Sequence, residues 1–334
     1  MKIVAIRSPW HPTGRLSPLH GLHVEGLSAA LLARGHHLVS TVVAAGVTDQ
    51  DAFRLAVAHG QQQAAACSAD GSTPDIWLCD GYLSALAGSV AAAGTGGRVV
   101  VWLGPVPLPA EERLYRLSAA VLRSAAAVIG ASDGVARWLL RERLTGRVDV
   151  VHPAVDPALA PGPPAAAPGH CAELVVIAPV AGPGTSALRT RVLRLLSRAD
   201  PDARVIVVPP GQRHQEEADV AVTGLGSDGG LGTLRAMARG LAVITLSGLP
   251  DRDLIEDRVS GLQAPDGRTL VSAVRELKRD PFLREALGQG AIDRVDSTLS
   301  TRRVAAALEE RLGSVLARTP PAAAPLTEAF LPAR

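Results

Sequence analysis

The stretch from Ala218 to Gly267, ADVAVTGLGSDGGLGTLRAMARGLAVITLSGLPDRDLIEDRVSGLQAPDG, decides how this chain folds. Val220 to Thr223 reads as a buried strand, a glycine-rich turn follows, and Gly232 to Arg239 has the residues of a helix. Ala242 to Leu246 is a second apolar strand, succeeded by a proline-bearing loop and another helix start. The four glycines between Gly224 and Gly230 let backbone N–H groups come close to a ligand. The turn opens onto a helix N-terminus, where partial positive charge and unpaired donors suit a phosphate.

Outward from this stretch the same alternation fills the chain. Strands are expected at Lys2–Ile6, His37–Val43, Asp75–Cys79, Arg98–Leu103, Ala126–Ile129 and Val148–Val151. Between them lie helices at Leu22–Arg34, Ala52–Ala66, Tyr82–Ala93, Ala110–Ser124 and Ser132–Arg143, the last with Ser132 as N-cap. Pro157 to Gly169, PALAPGPPAAAPG, carries five prolines and interrupts the pattern as a semi-rigid connector. It then restarts with Glu173–Ile177, Ala187–Ser197 and Arg204–Val208, and closes with helices over Thr269–Lys278, Pro281–Gln289 and Ser300–Leu316. The fold class is therefore α/β, with parallel sheets covered on both faces. A length of 334 residues calls for two cores. The division reads as an N-terminal domain over 1–157, a proline-rich linker over 158–170, a C-terminal domain over 171–317 and a tail over 318–334. The tail is either disordered or docked on the first domain through Leu326, Phe330 and Leu331.

Bulk properties exclude several function classes. Hydrophobic content of 47% with only 3% aromatics builds the cores from Ala, Val and Leu. A net charge of +2 gives no footprint for nucleic acid. Only Lys2 and Lys278 among the 34 basic residues are lysines, so a single arginine marks no site. Cys67, Cys79 and Cys171 are widely spaced, which fits a reducing compartment and no structural zinc. There is no signal-peptide pattern and no apolar run of about 18 residues. The expectation is a cytoplasmic protein with no integral membrane segment.

Two pieces, AAVIGASDGVARWLLRE with VDVVHPAVDP and LRAMARGLAVIT with LIEDRVSGLQAPD, are similar to GT-B-fold retaining glycosyltransferases of the family-4 type. The resemblance runs from LHGLHVEGLSAALLARGH to TRRVAAALEERL. It implies two Rossmann-like domains facing across a cleft, the first on the acceptor side and the second binding a nucleotide-diphosphate sugar. The sugar nucleotide would be a co-substrate, with no cofactor and no metal. Gly182, Gly184, Thr185, Ser227, Asp228, Gly229, Gly230, Leu231, Gly232, Thr233 and Arg235 are the implied donor-binding set.

The chain departs from the family pattern at informative places. Ser227 and Arg235 stand where the family has two glutamates, the second of which holds the donor ribose. Arginine is donor-only and cannot accept from a ribose, although it can reach a phosphate. Pro179 and Gly184 stand where an arginine and a lysine grip the diphosphate; Gly182, Gly184, Thr185 and Ser186 with Arg189 and Arg191 offer a substitute, or else a plain turn capped by Thr185 or Ser186. The connection through GQRHQEEA is short, and WLGPVP lacks the family's acceptor-site histidine.

Catalytic candidates are His20, Glu25 and Asp80, with Gly21, His20 and His23 on the acceptor side and His11 nearby. Gly21 is expected to open the first long helix. Asp80 either meets the ligand or caps a helix, and Asp228 either holds a sugar hydroxyl or caps. His36 and His37 read as surface residues, Asp253 and Glu256 as caps, and His152 and Asp156 as structural.

The implied function is transfer of a glycosyl group, with retention, to a small-molecule acceptor. An acceptor already nucleophilic, such as the thiol or thione of a secondary metabolite, needs no general base. The other reading is a glycosyltransferase-like scaffold without catalysis. Partners are thus a nucleotide sugar and a small molecule, with a homo-oligomer allowed and no nucleic acid.

Overall fold

The computed structural model describes residues 1–7, 18–43, 48–104, 111–156, 173–177, 185–201, 204–208, 219–224, 230–246 and 250–318. The linker and the tail beyond Arg318 lie outside them. The chain separates into two units: one holds Ser28–Val151 with the first residues of the chain and everything from Ala306; the other holds Ser17–Leu27 and His152–Ala305.

The first unit is a parallel sheet of six strands: β1 (Lys2–Arg7), β2 (His37–Val42), β3 (Ile76–Asp80), β4 (Arg98–Leu103), β5 (Ala127–Gly130) and β6 (Val148–Val150). Their order is β2-β1-β3-β4-β5-β6. The central strands are apolar almost end to end, as they must be when helices cover both faces. The unit's helices are the end of α1 (Pro18–Ala33) from Ser28 onward, α2 (Asp49–Ala69), α3 (Tyr82–Thr95), α4 (Glu112–Ser124) and α5 (Asp133–Arg141). Ser132 caps α5, accepting from the Val135 N–H at 3.1 Å, as its sequence position led one to expect. Trp77, with no exposed surface, anchors the core among Leu83, Leu86 and Val101 and still donates its indole N–H to the Gly96 carbonyl at 3.0 Å.

The second unit has a five-stranded parallel sheet in the described residues: β7 (Glu173–Ile177), β8 (Arg204–Val208), β9 (Val220–Thr223), β10 (Ala242–Leu246) and β11 (Leu262–Ala264), in the order β11-β10-β9-β7-β8. Its helices are α6 (Thr185–Ala199), α7 (Leu231–Ala238), α8 (Gly267–Arg279) and α9 (Pro281–Arg294), and α10 (Thr301–Ala317) begins in it and passes into the first unit at Ala306. Alternation along β9 and β10 splits the core. Val220, Val222, Ala242 and Ile244 pack with α6 and α8, whereas Ala221 and Val243 pack with α7 and α9. Asp266 and Thr269 form a capping box on α8, and Asp280 caps α9 ahead of Pro281.

Several expectations need correction. Helix α1 begins at Pro18, so Gly21 lies inside it and does not open it; proline suits the first helical turn because its missing N–H would have no partner there. The proline-bearing loop leads to a 3-10 turn at Pro250–Leu254 and then to the short strand β11, not to a helix. Glu256 accordingly caps nothing and instead lies 3.6 Å from Arg294. His36 is buried, its ring between the chain's amino terminus and Glu309; His37 is exposed.

Candidate functional site

In both sheets the chain order reverses once, between β1 and β3 in the first and between β7 and β9 in the second. At such reversals the connecting helices leave on opposite faces, and the carboxyl ends of the two strands border an open crevice where ligands bind.

At the second reversal β9 ends at Thr223, and the chain enters α7 through Gly230. Gly230 is the N-cap, with φ at 88°, a left-handed conformation that a side chain would strain. Gly230 itself has no side chain with which to cap the helix. A helix of this length still presents a partial positive charge at its first turn. Leu231 turns its side chain into the core, which leaves only its backbone for a ligand. Thr233 is the third helical residue and is 1% exposed.

Thr223 and Thr245 are register partners on β9 and β10. They share the sheet face of Ala221 and Val243, the face on which Leu231, Leu234 and Met237 of α7 pack. Thr223 is 1% exposed and Thr245 fully buried. The hydroxyls of Thr223, Thr233 and Thr245 have no hydrogen-bond partner among the described residues. A buried polar group left unsatisfied costs about 1–3 kcal/mol, and valine has the same shape without that cost. Three of them in the corner between one helix start and two strand ends are what a site holding a polar ligand would keep. Gly224 completes the corner: a Cβ there would sit 3.1 Å from the Thr245 hydroxyl.

Arg235 is the fifth residue of α7 and half-buried, so its backbone belongs to the last turn of the helix and not to the first. Arg239 at the C-cap is half-buried, and burial pulls its guanidinium below the usual value. Thr185 is the first residue of α6, which begins two residues earlier than the sequence pattern suggests. Pro179, Gly182, Gly184, Ser227, Asp228 and Gly229 lie outside the described residues, as do His11 and the side chains of His20, His23, Glu25 and Thr185.

At the first reversal Asp80 ends β3 and Arg7 ends β1, and the two are register partners. The N-cap of α3 is Gly81, so Asp80 stands one residue ahead of the helix's N-cap. Its charge is felt next door: burial pushes the Cys79 thiol up, and Asp80 pushes it further the same way. Cys79 is thus a neutral core thiol and no nucleophile. Arg7 was not among the sequence candidates. Its Nε is buried without a partner among the described residues, and the readable signal was a cation closing an apolar strand at the sheet's carboxyl edge. His152, expected to be structural, has a buried Nδ1 without a partner. Cys67 and Cys79 are free. Among the described residues no group of three His, Cys, Asp or Glu side chains could hold a metal ion, and no helix is long and apolar enough to cross a membrane.

Two Rossmann-like units of this kind make the fold GT-B, the fold of a large class of glycosyltransferases. Sucrose-phosphate synthase from Thermosynechococcus elongatus superimposes with a TM-score of 0.70 at 15% identity, over 95% of this chain and 100% of that one. HepE from Anabaena, in complex with UDP and glucose, gives 0.69 at 14% identity, over 94% and 100%. The catalytic domain of starch synthase IV from Arabidopsis thaliana, bound to ADP and acarbose, gives 0.66 at 13% identity, over 95% and 100%. At these identities the likeness is one of fold. No protein-family model matches the sequence, and no curated protein matches it.

Proposed function

We propose that the protein is a glycosyltransferase that takes a sugar from a nucleoside-diphosphate sugar and passes it, with retention, to a small-molecule acceptor. The observation that carries this reading is the trio of buried hydroxyls on Thr223, Thr233 and Thr245 beside the start of α7, which find no partner among the described residues. The fold supports it, and so do the nucleotides bound by HepE and starch synthase IV. In this mechanism the diphosphate departs first and an oxocarbenium-like centre forms. The first turn of α7 and the threonine hydroxyls stabilise the charge on the leaving phosphate, the kind of pre-organised electrostatic contribution that lowers such barriers most. The acceptor attacks from the face the leaving group vacates. A thiol or thione acceptor is already nucleophilic and needs no general base; for other acceptors Asp80 is the candidate base that the sequence offers. The sugar nucleotide is a co-substrate and no resident cofactor takes part, as in the family-4 type.

A panel of UDP, GDP, TDP and ADP tests this by thermal shift. One of them at millimolar concentration should raise the melting temperature, and Thr233→Val should reduce that rise by weakening binding about 2- to 10-fold, the worth of one neutral hydrogen bond. No response to any of the four would leave the second reading, a non-catalytic scaffold. Pro179 and Ser227, in place of the family's cation and glutamate, favour that reading.

A further inference from the structure

A furrow of about 1150 Å³ runs along the outer face of the second unit between α6 and α8. Five arginines line it: Arg191 and Arg198 from α6, and Arg268, Arg275 and Arg279 from α8. Three carboxylates also line it, each already hydrogen-bonded or ion-paired. Asp266 accepts from the N–H groups of Arg268 and Thr269, Asp280 accepts from the Leu283 N–H, and Glu276 pairs with Arg258. Arg275 turns back to the Arg198 and Ala199 carbonyls that end α6. Arg191, Arg198 and Arg279 have no carboxylate partner among the described residues. The floor between the two arginine rims is half-buried Leu195 and Val271.

The charge pattern selects the occupant. From Arg268 to Arg279 the cations extend over roughly 16 Å of helix, too far apart to converge on one phosphate group. A concave furrow does not match the plane of a bilayer. It holds no aromatic side chain on which nucleic-acid bases could stack. An apolar floor between cationic rims is instead the complement of a helix with an apolar ridge and acidic flanks. We propose that the α6–α8 furrow docks an acidic amphipathic helix of a partner protein, with apolar side chains over Leu195 and Val271 and carboxylates on Arg191, Arg198 and Arg279. This face is separate from the α7 corner, and the inference stands whether or not the protein transfers sugar.

The probe is a fluorescein-labelled amphipathic peptide of about 15 residues, long enough to form a helix on binding, with leucines on one face and glutamates flanking them. A scrambled peptide of the same composition serves as the control. Fluorescence anisotropy on the full chain at low salt should show saturable micromolar binding of the amphipathic peptide only. The triple variant Arg191→Ala, Arg198→Ala, Arg279→Ala should weaken it about 10-fold, as expected for three rim ion pairs. Arg302→Ala with Arg303→Ala, exposed on α10, should bind like the wild type. Matched melting temperatures would show that all variants fold. The proposal is overturned by absence of saturable binding, by equal binding of the scrambled peptide, or by an unaffected triple variant. It is equally overturned if the triple variant abolishes sedimentation with vesicles containing about 30% anionic lipid while peptide binding persists, which would make the surface a membrane contact.

Discussion

The two sheets carry different side chains at their carboxyl ends. In the first unit the register partners at the chain reversal are Arg7 and Asp80, a cation and a carboxylate. In the second, adjacent carboxyl-end positions of β9 and β10 carry Thr223 and Thr245, two hydroxyls. The first edge offers charge and a site for a proton. The second offers neutral hydrogen bonds beside a helix N-terminus, which suit an anion that must be released after turnover. One architecture thus presents two chemistries, and the side chains at one or two strand-end positions make the difference.

The largest expected effect is at the charged edge. Asp80→Asn keeps the shape and removes the charge; losing a charge-assisted hydrogen bond, worth about 1.5–3 kcal/mol, should cut kcat/KM about 10- to 100-fold with the melting temperature little changed. Steady-state kinetics with the nucleotide sugar identified by the thermal-shift panel would check this. Unchanged turnover would make the Arg7–Asp80 edge structural and collapse the contrast.

At the neutral edge the effect should have opposite signs in two measurements. Thr245→Val deletes a buried hydroxyl without a partner, so the ligand-free protein should gain about 1 kcal/mol, or a melting temperature higher by about 2–4 °C. Nucleotide affinity should fall at the same time. A variant that melts lower without ligand would mean the hydroxyl already serves the apo fold.

The smallest effect distinguishes the units by pH. His59 in the first unit bonds to Thr41 at 2.8 Å, and burial lowers its pKa. A lowered folded-state pKa means that this contribution is complete above the unfolded value of about 6.5 and is lost as pH falls below it. In the second unit Asp266 is held below the usual carboxylate range by the Thr269 N–H and hydroxyl, so its contribution lasts until pH falls below about 4. Limited proteolysis between pH 7.5 and 4 should therefore open the first unit at mildly acid pH and the second only in the carboxylate range. His59→Gln should remove the earlier step.

Much of the fold was legible because its signals are local. The strands Arg98–Leu103, Glu173–Ile177, Arg204–Val208, Val220–Thr223 and Ala242–Leu246 have the bounds that their apolar runs imply, and Ser132 caps α5 as its side chain predicts. Strand β11 was not legible, since three residues carry too little pattern to separate a strand from a loop. The burial of His36 was not legible either: it depends on Glu309, which lies at the other end of the chain.

The sequence by itself determined the α/β class, the two cores and the importance of the glycine-rich entry to α7, because periodicity and glycine act within a few residues. Only the tertiary structure decided which polar side chains meet. Thr223 and Thr245 are read as ordinary strand residues until the pairing of β9 with β10 sets them side by side in the interior. Arg7 stays one arginine among many until β3 brings Asp80 beside it. Strand register and burial are properties of contacts between distant segments, and those contacts turned three threonines into the centre of the candidate site.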